Sequence, residues 1–124
     1  MPVRGVRGAI TAAADQPADI TEATRELLAA ILAANPGLQP QDLASALFTV
    51  TEDLSAAYPA AAARELGWTD VPLICAREIP VPGGLERCIR VLLHWNTDLP
   101  QSAIRHIYLG AAAALRPDLD TPHG

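Results

Sequence analysis

The sequence predicts an α+β domain in which five strand-like segments pack on one long helix and short helices. Three observations predict it. Residues 2–11 alternate Val3, Gly5, Arg7 and Ala9 against Arg4, Val6, Gly8 and Ile10, the period of a strand. Residues 18–34 place Ile20, Ala23, Thr24, Leu27, Leu28, Ile31 and Leu32 at helical spacing. Residues 86–97 set an unbroken apolar row, Ile89, Val91, Leu93 and Trp95, opposite Cys88, Arg90, Leu92 and His94.

The first strand occupies residues 2–11. The long helix follows over residues 18–34, with Asp19 or Thr21 near its start and Asn35-Pro36-Gly37 as its stop. Gln39 to Asp42 reads as a helical turn, and residues 44–51 as a second strand ending in β-branched side chains. Pro59 opens a short alanine-rich helix over residues 60–66, because proline is tolerated at a first helical position, and Gly67 closes it. A third strand covers residues 71–79. The Pro80-Val81-Pro82-Gly83-Gly84 run after it is a loop. The fourth strand, over residues 86–97, is the longest. After Pro100 a helical turn leads to a fifth short strand at residues 105–109, and the chain ends in a polar tail. Residues 1–119 are read as one domain and 120–124 as a flexible tail.

One long helix and one short one cannot cover both faces of five strands. An apolar face would be left bare in a monomer, so oligomerisation is expected. The net charge of −5 argues against a general nucleic-acid binder, since a phosphate backbone rewards a basic surface. No stretch approaches the roughly 20 apolar residues of a membrane span. Cys75 and Cys88 are too far apart for a C-x-x-C pair and, with no secretory leader read at the N-terminus, are free thiols of a reducing compartment. The protein is therefore placed in the cytoplasm.

Arg90 is the most informative residue. It interrupts the apolar run from Cys88 to Leu93, where a guanidinium needs an anion. Arg7 lies on another strand among Gly5, Gly8 and Ala9, residues too small to fill the space beside it. Two such arginines suggest a small, multiply charged anionic ligand. Glu78, close to the loop that returns the chain toward Arg90, is an equally natural partner, and an internal salt bridge is the plainer account of that pair. Tyr108 on a short strand is more often a half-buried core tyrosine with a satisfied hydroxyl than a ligand contact. His94, His106 and His123 show no metal spacing, and no serine or cysteine has a histidine at a recognisable motif distance. Neither a metal nor a cofactor is expected.

Several segments taken in order carry a resemblance. They are Arg4-Gly-Val-Arg7-Gly-Ala, Tyr58-Pro-Ala-Ala-Ala-Ala-Arg64-Glu-Leu, Trp68, Val71-Pro, Cys75-x-x-Glu78, Gly83-Gly-Leu-x-x-Cys88-Ile-Arg90-Val, Thr97-Asp, Arg105-His-Ile-Tyr108-Leu and Leu115-Arg-Pro-Asp-Leu119. Together they resemble the AroH-type monofunctional chorismate mutases over residues 3 to about 119. The resemblance implies a mixed five-stranded sheet, a homotrimer forming a pseudo-α/β-barrel, and active sites in the clefts between subunits. It also implies the reaction: chorismate to prephenate by a [3,3] rearrangement, without cofactor or covalent intermediate, on the route to phenylalanine and tyrosine.

By the same resemblance Arg90 would stabilise the breaking ether oxygen, and Arg7 with Tyr108 would grip the side-chain carboxylate. Glu78 would accept the hydrogen bond of the ring hydroxyl, aided by the backbone near Cys75. Tyr58, Ala60, Leu73, Ile74 and Leu115 would form apolar walls, and Arg64 and Arg116 would stand at the mouth. Ala61 occupies a position where the family often has lysine, and Ile74 one where threonine occurs. Both changes bear on substrate affinity more than on the chemical step. A trimeric module that binds a small carboxylate without turnover is the competing reading.

Overall fold

The computed structural model describes residues 1–115; Arg116 and the tail lie outside the described residues. Five strands, β1 (Val3–Thr11), β2 (Leu43–Val50), β3 (Leu73–Arg77), β4 (Cys88–Asn96) and β5 (Ile107–Tyr108), form one sheet in the order β3-β2-β4-β1-β5. The central pairs β2–β4 and β4–β1 are antiparallel, whereas the outer pairs β2–β3 and β1–β5 are parallel, so the sheet is mixed. Two helices, α1 (Pro17–Ala34) and α2 (Ala60–Glu65), connect the strands. Short 3-10 turns occupy Pro40–Asp42, Gln101–Ala103 and Gly110–Leu115.

Sequence periodicity fixes which face is which. Ile20, Ala23, Leu27, Leu28 and Ile31 of α1 are buried in one core with Val6, Ile10, Phe48, Ile89, Val91, Leu93 and Trp95, the alternate residues of three strands. Ala60 and Ala63 of α2 and the nearby Trp68 extend that core. The opposite face carries Arg7, Leu47, Thr49, Arg90, Leu92 and His94, which are half-buried or exposed. Its one covered end is a small second cluster in which Ala9, Cys88, Tyr108 and Ala112 pack with Leu85 and Leu115. Both helices of the described chain thus serve one face.

Gly8 corrects the sequence reading. Its missing side chain opens no space beside Arg7, because it faces the helix: a Cβ there would stand 2.8 Å from Ile31 Cδ1, 3.1 Å from Leu27 Cδ1 and 3.2 Å from the Ile107 carbonyl oxygen. Close packing of α1 and β5 on β1 is what requires glycine here. Gly5 and Ala9 do lie on the Arg7 side of the strand.

Element ends differ from the periodic pattern for identifiable reasons. The α1 helix begins at Pro17, after an extended Gln16, and Asn35 closes it by donating from Nδ2 to the carbonyl oxygens of Ile31 and Arg105. Strand β5 is only Ile107–Tyr108, shorter than expected, because side chains take up the neighbouring amides. Asn35 Oδ1 accepts the Arg105 N–H, and His106 Nδ1 accepts the Arg7 N–H. Strand β3 shrinks to Leu73–Arg77 between Pro72, which has no N–H, and the Ile79-Pro80 step. Strand β4 begins at Cys88, since Arg87 has φ +48° and gives its N–H to the Asp53 carboxylate.

The segment leading from β2 to α2 is tied down by Asp15, whose carboxylate accepts the Ser55 and Ala56 N–H groups and the Ser55 hydroxyl. Those backbone donors, Ser55 first, hold the Asp15 carboxyl below the ordinary carboxylate range. A depressed folded-state value means stabilisation that is present above the unfolded pKa and lost as pH falls through the folded one. Asp15→Ala is therefore expected to unfold at lower urea than the parent at pH 7. The two midpoints should converge once the pH lies below the depressed value, which paired urea titrations would check.

Candidate active site

The open face gathers four of the sequence-predicted residues through strand register. Arg90 on central β4 lies beside Thr49 of β2 on one side and Ala9 of β1 on the other. Ala9 in turn pairs with Tyr108 of β5. Arg7 is two residues from Ala9 and so shares its face. Glu78 continues the β3 ladder by one bond, its N–H meeting the Val50 carbonyl at 2.9 Å. A cavity of about 170 Å³ is lined by Arg7, Gly8, Leu47, Thr49, Glu78, Arg90, Val91, Leu92 and Tyr108.

Arg90 and Glu78 are an ion pair, with Nε 3.5 Å from Oε2 and side-chain exposures of 43% and 25%. That distance is too long for a hydrogen bond, and Nε is buried with no hydrogen-bond partner among the described residues. The acid sits on one edge of the guanidinium. The Arg90 side chain also lies beside the Cys88 thiol, and it lines the cavity, where its donors can meet an anion. Glu78 Oε2 is held by the Thr49 hydroxyl, which donates to it.

The other charged neighbours are committed elsewhere. Arg77 donates to the carbonyl oxygens of Thr51 and Leu54 at 3.0 and 3.1 Å. Arg87 donates from Nε to the Ala12 carbonyl oxygen and pairs with Glu86 at 3.5 Å. Neither competes for Glu78. A larger cavity of about 560 Å³ adjoins the first under the Glu78–Glu86 loop, and Glu78 and Arg90 line both.

Burial pushes the Cys88 thiol above its ordinary value, with the charge of Arg90 working against that shift. A buried, protonated thiol is a poor nucleophile. Cys75 and Cys88 are both free. Among the described residues no group of three or more His, Cys, Asp or Glu is placed to hold a metal ion. No described helix is long and apolar enough to cross a membrane.

The remaining predicted residues form a second set, apart from this cavity within one chain. Tyr58 is 72% exposed and Ile74 64% exposed. Arg64 is exposed on α2. Cys75 and Tyr58 line a separate cavity of about 430 Å³. Ala60 is buried in the main core, and Leu73 packs against it. Leu115 does reach the first set, packing with Tyr108 and Cys88. Arg116 lies outside the described residues. Thr49 went unnoticed in the sequence, because only pairing register places it between Glu78 and Arg90.

Comparison with known proteins gives consistent matches. The family model described as chorismate mutase type I matches residues 3–119. A chorismate mutase AroH of Thermus thermophilus is 57% identical over 119 residues, covering 96% of this chain and 98% of the relative. The chorismate mutase AroH of Bacillus subtilis is 46% identical over 120 residues, covering 96% and 94%. The solved structure of a chorismate mutase from Clostridium thermocellum superposes with a TM-score of 0.86 at 46% identity, covering 89% of this chain and 97% of that one.

Proposed function

Because the chain belongs to the type I chorismate mutase family and is an isomerase that rearranges chorismate to prephenate, we propose that Arg90, Arg7, Glu78 and Tyr108 carry this step and that a second copy of the chain completes the site. The reaction lies on the way to phenylalanine and tyrosine. The observation that carries the residue assignment is the partly exposed Arg90 side chain, which pairs with Glu78 at 3.5 Å and lines a cavity that Arg7 and Tyr108 also line.

Chorismate is a dianion whose enolpyruvyl arm must fold over its ring. Arg7 and the Tyr108 hydroxyl hold the arm's carboxylate, converting a rare conformer into the bound one. As the ether C–O bond breaks ahead of C–C bond formation, negative charge gathers on the ether oxygen. Arg90 meets that charge, binding the transition state more tightly than the ground state. Glu78 accepts a hydrogen bond from the ring hydroxyl and orients the ring. Every bond change is intramolecular, so the mechanism calls for no proton transfer, nucleophile or cofactor.

Assembly into a homotrimer is supported by the bare sheet face and by the second set of residues. Leu47 and Leu92 on that face are half-buried, and Ile74 is largely exposed on edge strand β3. Packing such faces together around an axis would bury them and bring Tyr58, Arg64, Ile74 and Cys75 of one copy to the Arg90 cavity of the next. Ala60 and Leu73 would support these walls from the core. The free thiols support a reducing, cytoplasmic setting.

A mixing experiment tests the shared site. Arg90→Ala removes the cation from one half, while Ile74→Glu puts a negative charge into the other. Each protein alone should be inactive toward chorismate. Unfolded together and refolded, they should regain turnover, because about a quarter of the sites would pair two intact halves. Loss of the substrate's diene absorbance reads the result, and no recovery would overturn the shared site.

A further inference from the structure

We propose that Thr49 is a positioning residue for the rearrangement, its hydroxyl fixing the Glu78 carboxylate and, through it, the placement of the Arg90 guanidinium. The proposal rests on the roles given above to Glu78 and Arg90. Three observations carry it. In the sheet order β3-β2-β4, strand β2 lies between the strand that leads into Glu78 and the strand that bears Arg90. Glu78 must therefore reach across β2 to meet Arg90, and Thr49, directly beside Arg90 in register, stands in that path. The Thr49 hydroxyl also donates to Glu78 Oε2, the same oxygen that approaches Arg90.

The chemistry of the three groups makes the dependence directional. An ionised carboxylate only accepts, so the hydroxyl must be the donor, in a charge-assisted bond. A glutamate side chain gives up substantial rotamer freedom when held in one place, and a β-branched threonine, stiff at χ1, is a rigid point to hold it. Both contacts converge on Oε2, which leaves the other carboxylate oxygen for the ring hydroxyl of the substrate. Arg90 Nε has no hydrogen bond of its own among the described residues. Beside the Cys88 side chain, its charged neighbour is an acid at 3.5 Å whose own carboxylate oxygen is held by the Thr49 hydroxyl.

The test compares Thr49→Val, which keeps the shape and strand preference but removes the donor, with Thr49→Ser, which keeps the donor. Each is made in the parent and in Glu78→Ala, with steady-state chorismate kinetics and thermal unfolding recorded for all. Thr49→Val is expected to lower kcat/KM about tenfold without lowering the unfolding midpoint. It should move kcat and KM in the same sense as Glu78→Ala, but less far. Thr49→Ser should stay within about twofold of the parent, and Thr49→Val should have no further effect once Glu78 is alanine.

Parental kinetics for Thr49→Val beside an impaired Glu78→Ala would overturn the positioning role alone. An equal loss in both backgrounds would overturn it too, since Thr49 would then act independently of Glu78. Failure of the serine variant to restore activity would count against the donor. If Glu78→Ala itself matched the parent, the reading of the site would fall instead.

Discussion

Arg90→Ala leaves a folded protein whose kcat for chorismate is lower by at least about 10²–10³-fold, the range for losing one preorganised donor at a developing oxyanion. The residue's setting explains why the loss falls on the chemistry. Arg90 projects from β4 on the open face, while its neighbours Ile89 and Val91 point into the core and keep the strand in place. Its contact with Glu78 is a 3.5 Å ion pair between partly exposed groups, and such pairs contribute little to folding. KM should change less than kcat, because the interaction strengthens as the ether bond breaks. Arg90→Lys should not restore turnover: an ammonium presents a point charge where a planar fork is needed to serve Glu78 on one edge and substrate on another. Circular dichroism and urea midpoints close to the parent, together with lost turnover, are the expected pair of results. A parental kcat in Arg90→Ala would assign the ether oxygen to a different cation.

Phe48→Ala should be the most damaging of the stability variants, costing about 3–5 kcal/mol. The side chain is 0% exposed, and on β2 it pairs in register with Val91 of β4 and Cys75 of β3. Few aromatic residues are available to refill the void, in a chain with one phenylalanine and a core built largely of alanine and aliphatic side chains. Urea unfolding at one fixed protein concentration would read the loss as a lower midpoint with an unchanged slope. The same substitution loosens the strand that carries Thr49. Activity should therefore fail at a lower temperature than in the parent, even though Phe48 faces away from the cavity. An unchanged midpoint would mean that the core collapses around the gap at little cost.

Much of the fold was legible because periodicity is a property of sequence alone. The α1 stripe from Ile20 to Ile31 and the alternation through β4 each assign a buried face without knowledge of any partner. Strand ends were less legible because they depend on distant groups. Asn35 ends β5 from about seventy residues away in the chain, and Asp53 holds Arg87 in a left-handed conformation ahead of β4. Gly8 was misread for a related reason: a glycine in a strand reveals that something comes close, but not from which side.

Within the site, Arg7 and Arg90 stood out as cations at strand positions, whereas Glu78 and Tyr108 took their roles from family likeness; all four line one cavity. Thr49 did not stand out, since a threonine at the end of a strand is ordinary. Its position between Glu78 and Arg90 exists only after β2, β3 and β4 have paired. Tyr58, Arg64, Ile74 and Cys75 were named through family likeness, and within one chain they stand away from that cavity.

Strand β1 has a consequence for how the molecule is made. Its hydrogen-bonding neighbours are β4 and β5, which lie at Cys88–Asn96 and Ile107–Tyr108. A chain emerging from the ribosome thus presents its first strand, with Arg7, long before either neighbour has been synthesised. In the meantime α1 can cover the Val6 and Ile10 face of β1 but not its hydrogen-bonding edges, and pairing over so long a separation is intrinsically slow. The sheet can close only after β4 and β5 have been made, and the two arginines of the cavity come together when β1 pairs with β4.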